Sequence, residues 1–170
     1  MPETALIIIG FQNARNDKKS DYYVGNLDSI VEKTNYLIAY AREMNYKIIF
    51  IRHIESEGDF ALGNPNSEMI PELAFDKKLD TEILKYKISS FYNTKLESEL
   101  HGIENVVVCG ALSNLCVRMF VEEAYDRDFR IALLDDLTVA YSQDIHDETL
   151  EDLYATRAGI SVLPLAKFVE

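Results

Sequence analysis

Two side chains in this sequence are of types that could form a nucleophilic site, and the first is Cys116. It follows the short loop "GALSNL" and precedes a stretch with helical periodicity, so it falls near the N-terminus of a predicted helix. Backbone N–H groups and the positive end of a helix favour a thiolate, the nucleophilic form of cysteine. From composition alone, a small buried hydrophobic residue is the more common role, and it is the better explanation for Cys109.

The second is Lys85, which lies inside the third predicted strand. An ammonium group is out of place among buried apolar side chains unless it faces a site. Its positive charge could stabilise a thiolate. The alternative is an edge-strand lysine that discourages aggregation, and the sequence leaves both interpretations open.

Other polar residues give weaker signals. Asp135 and Asp136 end the fifth predicted strand, where they could face a crevice or, more commonly, cap a turn. His53 lies at the carboxyl end of a strand and could contact a ligand. The histidines do not have the spacing of a metal site, and the sequence contains neither GxGxxG nor GxxxxGK.

Strands and helices must position these residues. Along the chain, short apolar runs alternate with segments of helical periodicity, which predicts a parallel sheet covered on both faces. Six strands are predicted: Ala5–Ile9, Tyr46–Arg52, Glu82–Lys87, Asn105–Cys109, Arg130–Leu134 and Ile160–Leu163. A long amphipathic helix joins the first two. Thr94 to Glu97 has the pattern of a capping box, and residues 55–72 form a long loop.

Length and composition predict one domain, residues 1–170, in a chain that is 48% apolar and 27% charged. The net charge of −12 disfavours nucleic acid and anionic membranes as partners. With two cysteines and no secretory signal or apolar span, we expect a protein of the cytoplasm with no membrane anchor.

Several segments together resemble the isochorismatase-like cysteine hydrolases, the superfamily that includes nicotinamidases. The segments are "ALIIIGFQN", "IIFIRH", "IPEL", "KYKISSFYNTKLESEL", "NVVVCGALSNLCV" and "LLDDLTVAYSQDIHDETL", in order along nearly the whole chain. The most specific is the glycine, short loop and cysteine before a helix. The resemblance implies an α/β fold with three α/β/α layers and a mostly parallel six-stranded sheet.

The resemblance also implies a catalytic triad of Asp, Lys and Cys at the carboxyl ends of the strands. Cys116 matches the nucleophile and Lys85 the lysine, but the position of the general-base aspartate is occupied by Gly10. A cis peptide is expected between Ala111 and Leu112. By analogy, the backbone N–H groups of Leu112 and Cys116 would form the oxyanion hole.

No metal or other cofactor is predicted. Some nicotinamidases bind a metal through an Asp-x-His pattern and a later histidine. Here Ile51 stands in place of the aspartate before His53, and no histidine follows Pro71. Nicotinamide is therefore disfavoured as the substrate.

Loss of a general acid/base costs about 10²–10⁴ in rate, and three interpretations follow. The first is a hydrolase of small amides, acting through an acyl-enzyme on Cys116 and impaired by Gly10 unless another carboxylate substitutes. Glu72, Asp59 and Asp135 are the candidates for that substitution. The second is an inactive family member that binds a small molecule or a protein. The third, hydrolysis of isochorismate, ranks last because it depends on the missing aspartate.

We expect a small-molecule ligand. The resemblance also implies a homo-oligomer, because members of the family commonly assemble as dimers or larger oligomers. A mainly apolar, aromatic pocket would suit a small planar acyl group. The predicted pocket residues are Phe11, His53, Phe91, Tyr92, Ala111 and Leu112.

Overall fold

The computed structural model describes residues 3–170 and contains one six-stranded sheet. Its strands are β1 (Thr4–Ile9), β2 (Lys47–His53), β3 (Thr81–Lys85), β4 (Asn105–Ala111), β5 (Arg130–Val139) and β6 (Ile160–Leu163). They lie in the order β3-β2-β1-β4-β5-β6, and every neighbouring pair is parallel. The predicted α/β fold with a parallel six-stranded sheet is confirmed.

Five α-helices pack against the sheet or close its connections: α1 (Asp28–Glu43), α2 (Leu96–Glu99), α3 (Arg118–Tyr125), α4 (Gln143–Thr156) and α5 (Leu165–Phe168). The first is the predicted long crossover. Val31, Leu37, Ile38 and Ala41 lie buried along one face at helical spacing. None of the helices in residues 3–170 is long and apolar enough to cross a membrane.

Both faces of the sheet are covered because consecutive residues of a strand point to opposite sides. In β1, Ala5, Ile7 and Ile9 belong to a core cluster that includes residues of α3 and α4. Leu6 and Ile8 belong to a second cluster on the side of α1. This two-sided burial is why the central strands are continuous apolar runs in the sequence.

The strand order places a crevice beside the end of β1. The chain moves from β1 outward to β2 and β3, and then returns to place β4 on the other side of β1. Ligands of open α/β sheets bind outside the carboxyl ends of the strands at such a reversal. Gly10 follows β1 at this point, and Ala111 ends β4.

Several local predictions were wrong in detail, including the end of β3, which lies at Lys85 and not at Lys87. The fifth strand does not end before Asp135 and Asp136, because a bulge against β4 extends β5 to Val139. The capping box forms only in part. Thr94 accepts a hydrogen bond from the N–H of Leu96, but Glu97 pairs with Arg127 instead of closing the box.

Candidate active site

Cys116 lies in a π-helical turn, Ser113–Val117, between β4 and α3. It is partly exposed, whereas Cys109 is completely buried within β4 and burial raises the pKa of the Cys109 thiol. The turn follows the expected cis peptide, Ala111–Leu112. The N–H groups of Leu115 and Val117 both bond to the carbonyl of Leu112, which anchors the turn at the sheet edge. Of the two thiols, only Cys116 is accessible.

Lys85 ends β3 and reaches the thiol of Cys116. Its side chain is fully buried, and its Nζ lies 3.2 Å from Cys116 Sγ. The ammonium also donates to the carbonyl of Lys87 at 2.8 Å and contacts His53 Nδ1 at 3.2 Å. Three N–H bonds therefore have three partners, which orients the ammonium and compensates for part of the cost of burying it.

Burial is the main reason that the pKa of Lys85 is lowered, and the adjacent Cys116 opposes this shift. Burial also lowers the pKa of His53, with the charge of Lys85 acting in the same direction. A neutral His53 can accept from Lys85 through Nδ1, which places its own proton on Nε2.

The other ring nitrogen of His53 leads to a carboxylate. His53 Nε2 lies 2.9 Å from Oε1 of Glu55, a residue at the start of the long loop after β2. The result is a continuous chain of polar contacts from Cys116 through Lys85 and His53 to Glu55. Glu55 is partly exposed, so the far end of the chain meets solvent.

The backbone of His53 is held by Gln12. The buried amide of Gln12 donates to the His53 carbonyl at 2.9 Å and accepts from the His53 N–H at 2.8 Å. Gln12 Nε2 also donates to the carbonyl of Ser67 at 2.7 Å, so one side chain joins the segment after β1 to β2 and the long loop. The side-chain roles of Gln12 and Glu55 were missed, because both depend on contacts between distant segments.

Gly10 has no room for a side chain in this backbone conformation. Its φ is +66°, and a Cβ built there would clash with the carbonyl oxygen of Ala111. Its N–H bonds to the carbonyl of Ile51 at 2.9 Å. The ends of β1 and β4 are therefore closer together than a side chain at position 10 would allow.

The three carboxylates expected as substitutes are directed elsewhere. Asp59 accepts a hydrogen bond from the hydroxyl of Ser20, Asp135 accepts from the N–H of Asp136, and Glu72 is exposed. Within residues 3–170, none of them hydrogen-bonds to Lys85 or Cys116. Glu55 is the carboxylate that connects to Lys85, through His53.

The predicted pocket residues are divided. Phe91 is in the core cluster against which Cys116 packs, and its ring stacks on Phe120. Phe11, Ala111 and Leu112 are buried in the second cluster, and Tyr92 is largely exposed. Of the set, His53 is the member with a direct contact to Lys85, so the pocket role of the others stays a prediction.

Comparison with known proteins identifies the family. The isochorismatase domain model matches residues 4–162. The chain belongs to the isochorismatase family of hydrolases. Nicotinamidase 3 of Arabidopsis thaliana is 26% identical over 88% of this chain and 79% of its own length. The uncharacterized family protein YddQ of Bacillus subtilis is 27% identical over 85% of this chain and 82% of its own.

The fold is shared with solved structures of the family. A family member from Desulfovibrio vulgaris superimposes with a TM-score of 0.89 at 20% identity, covering 99% of this chain and 97% of its own. At that identity the likeness concerns the fold. The structure brings the side chains of Lys85 and Cys116 into contact, and their catalytic roles stay a prediction.

The metal bound by some family members does not fit the residues present here. Both ring nitrogens of His53 already have partners, Lys85 and Glu55, and the apolar Ile51 is buried. In residues 3–170, no group of three or more His, Cys, Asp or Glu side chains is arranged to hold a metal ion.

Proposed function

We propose that this isochorismatase-family hydrolase cleaves the C–N bond of a small amide through an acyl-enzyme on Cys116. The observation that carries the proposal is the 3.2 Å contact between an accessible thiol and a fully buried lysine at the carboxyl edge of the sheet. A buried ammonium beside the sulfur stabilises a thiolate, because the opposite charge lies within hydrogen-bonding distance.

In the acylation step, the thiolate attacks the amide carbon and the C–N bond breaks. The departing nitrogen must take up a proton to leave as ammonia, and the family's aspartate is not there to supply it. Lys85 is the donor in this proposal, since burial lowers its pKa and makes the ammonium a stronger acid than that of an exposed lysine. The N–H groups of Leu112 and Cys116 remain the proposed oxyanion hole.

In the deacylation step, water attacks the thioester. Lys85, now a neutral amine, takes a proton from the water as the C–S bond breaks, which restores the ammonium and thiolate pair. The carboxylic acid product loses its proton to solvent. His53 is the positioning residue: it accepts a hydrogen bond from Lys85 and donates one to Glu55, so the lysine stays aligned in both protonation states.

The test is ammonia release from a panel of small primary amides by three proteins. We expect turnover by the unaltered chain and by Cys109→Ser. Cys116→Ser should be slower by about 10³-fold or more, because it lacks the nucleophile. Equal activity of Cys116→Ser and Cys109→Ser would contradict the acyl-enzyme.

The second candidate function is a catalytically inactive member that binds a small molecule or a protein. The observation favouring it is Gly10, which leaves the usual position of the general base without a carboxylate and without space for one. A panel of ligands that stabilises the chain against unfolding, with no ammonia released from any amide, would favour this function.

A further inference from the structure

Arg15 is a buried cation that the proposed chemistry does not use. It ends a short 3₁₀ turn, Asn13–Arg15, just after β1, and it is 8% exposed. Nη1 donates to the hydroxyl of Tyr141 at 2.9 Å, while the buried Nε has no hydrogen-bond partner. No carboxylate of residues 3–170 forms an ion pair with it.

Aromatic rings surround the guanidinium of Arg15. Its Cζ lies 5.1 Å from the centre of the Phe60 ring, 5.7 Å from Tyr22 and 6.0 Å from Tyr141. Rings at these distances stabilise a cation partly, but they leave its N–H groups without acceptors. The unpartnered Nε, together with Nη2, can present the fork that binds a carboxylate through two parallel hydrogen bonds.

The position of Arg15 connects it to the reacting residues. The ring of Phe60 also packs edge-on against His53, with ring centres 5.5 Å apart, so a single ring separates Arg15 from the partner of Lys85. The N–H of Arg15 bonds to the carbonyl of Gln12, whose side chain holds His53. The positive charge of Arg15 contributes to lowering the pKa of both Lys85 and His53.

The charge balance of this region differs from that of the whole chain. Lys85 contacts Cys116, and a second buried cation, Arg15, lies one ring away from His53. The carboxylate linked to Lys85 through His53, Glu55, is partly exposed. Gly10 removes the negative charge that the family's aspartate would contribute. A buried charge without a counter-ion is costly, so pairing of Arg15 with an anion is favoured locally although the net charge of the chain is −12.

We infer that Arg15 binds a carboxylate of the substrate, so that the substrate class is the mono-amides of small dicarboxylic acids. The inference rests on the proposed function, in which Cys116 attacks the amide group of the substrate. The carboxylate pairs with the guanidinium and the amide carbon is presented to the thiolate. The aromatic rings exclude water from the ion pair, which strengthens it.

The turnover experiment compares malonamate, succinamate and glutaramate with the uncharged diamide of the same chain length. We expect at least one mono-amide to be preferred over its diamide. Arg15→Gln should lower kcat/KM for that mono-amide by about 10- to 100-fold, the effect of losing a hydrogen bond to a charged group. The loss of the Arg15 charge also raises the pKa of Lys85 and His53 and acts on both substrates, so the test is the ratio of kcat/KM for the mono-amide to kcat/KM for the diamide, which should fall by about 10-fold or more. Arg130→Gln, at the amino end of β5, is the matched control.

A binding experiment separates this inference from the proposed function. Succinate, malonate and glutarate are titrated by calorimetry into Cys116→Ser alone and into Cys116→Ser combined with Arg15→Gln or with Arg15→Lys, after each fold is checked by circular dichroism. Binding that requires Arg15 supports the carboxylate site even if no amide is hydrolysed, and the proposed function alone would then fail. Absence of binding by all three dicarboxylates, or equal binding with Arg15→Gln, would overturn the inference.

Discussion

The surroundings of Lys85 differ from those of an ordinary surface lysine. It is fully buried, it touches a thiol and an imidazole, and no carboxylate of residues 3–170 contacts it directly. Burial lowers its pKa, and without an adjacent aspartate the opposition to this shift comes from Cys116 and, more weakly, from Glu55. The absence of the family's base thus favours the lysine as the group that transfers protons.

Replacement of Lys85 by methionine separates catalysis from stability. Lys85→Met should lower kcat/KM by about 10²–10⁴, the usual contribution of a general acid/base. The free energy of unfolding should stay within about 2 kcal/mol of the unaltered chain, because relief from burying a charge offsets the lost hydrogen bonds. Kinetics and urea unfolding measure the two effects, with the exposed Lys95→Met as control. Unchanged kinetics would contradict the proposed role.

Glu55 is expected to influence the pH dependence through His53. Its contacts raise the pKa of His53 against the lowering by burial and Lys85, so Glu55→Gln should lower that pKa further. A protonated His53 cannot accept from Lys85, and activity should fall as pH drops through the His53 pKa. The acid limb of kcat/KM should therefore move to lower pH in Glu55→Gln. The neighbouring Glu57→Gln should leave it in place, and a shift to higher pH would contradict the assignment.

At the scale of elements, the close approach of β1 and β4 determines what position 10 can hold. Gly10→Asp places a Cβ against the backbone oxygen of Ala111, whereas Gly58, with a similar φ of +79°, has open space around it. Gly10→Asp should cost about 2 kcal/mol more stability than Gly58→Asp, since both are strained by positive φ but only the first must move backbone. Urea unfolding measures this difference.

We also expect Gly10→Asp to release ammonia no faster than the unaltered chain. A new carboxylate can act as base only if the strand ends first separate. If Gly10→Asp proved as stable as Gly58→Asp and more active, the backbone would accommodate the family's aspartate and Lys85 would not be needed in its place.

Most elements were predictable because their periodicities are strong. All six strands were anticipated, since buried parallel strands are continuous apolar runs. The extension of β5 was missed because Asp135 and Asp136 resemble a turn, and a bulge cannot be read from periodicity. The end of β3 at Lys85, before the predicted Lys87, is set by pairing with β2.

The site was predictable in part for the same reason. His53 follows a predicted strand, Lys85 lies within another and Cys116 precedes a predicted helix, so a parallel sheet can bring them to one edge. Glu55, Gln12 and Arg15 act through contacts between β1, β2 and the long loop, which no local pattern encodes. A signal was present for Arg15: it is the first charged residue after the apolar "ALIIIGF" segment.

For the whole molecule, the family and the fold are established, while assembly and location stay predictions. The expected homo-oligomer and cytoplasmic setting can be examined by sedimentation and by fractionation of cells. The net charge of −12 contrasts with the local excess of positive charge around Lys85 and Arg15. The proposed binding of a carboxylate by Arg15 is therefore a local effect that works against the charge of the whole chain.

The central claim is that Cys116 carries the acyl group of an amide substrate. The most direct measurement is to quench the chain with acid during turnover of the amide panel and to determine the mass of the intact protein and of its peptides. We predict an added mass equal to the acyl group on the peptide containing Cys116, and none on the peptide containing Cys109. Ammonia release with unmodified Cys116 at every quench time, and undiminished release by Cys116→Ser, would contradict the account.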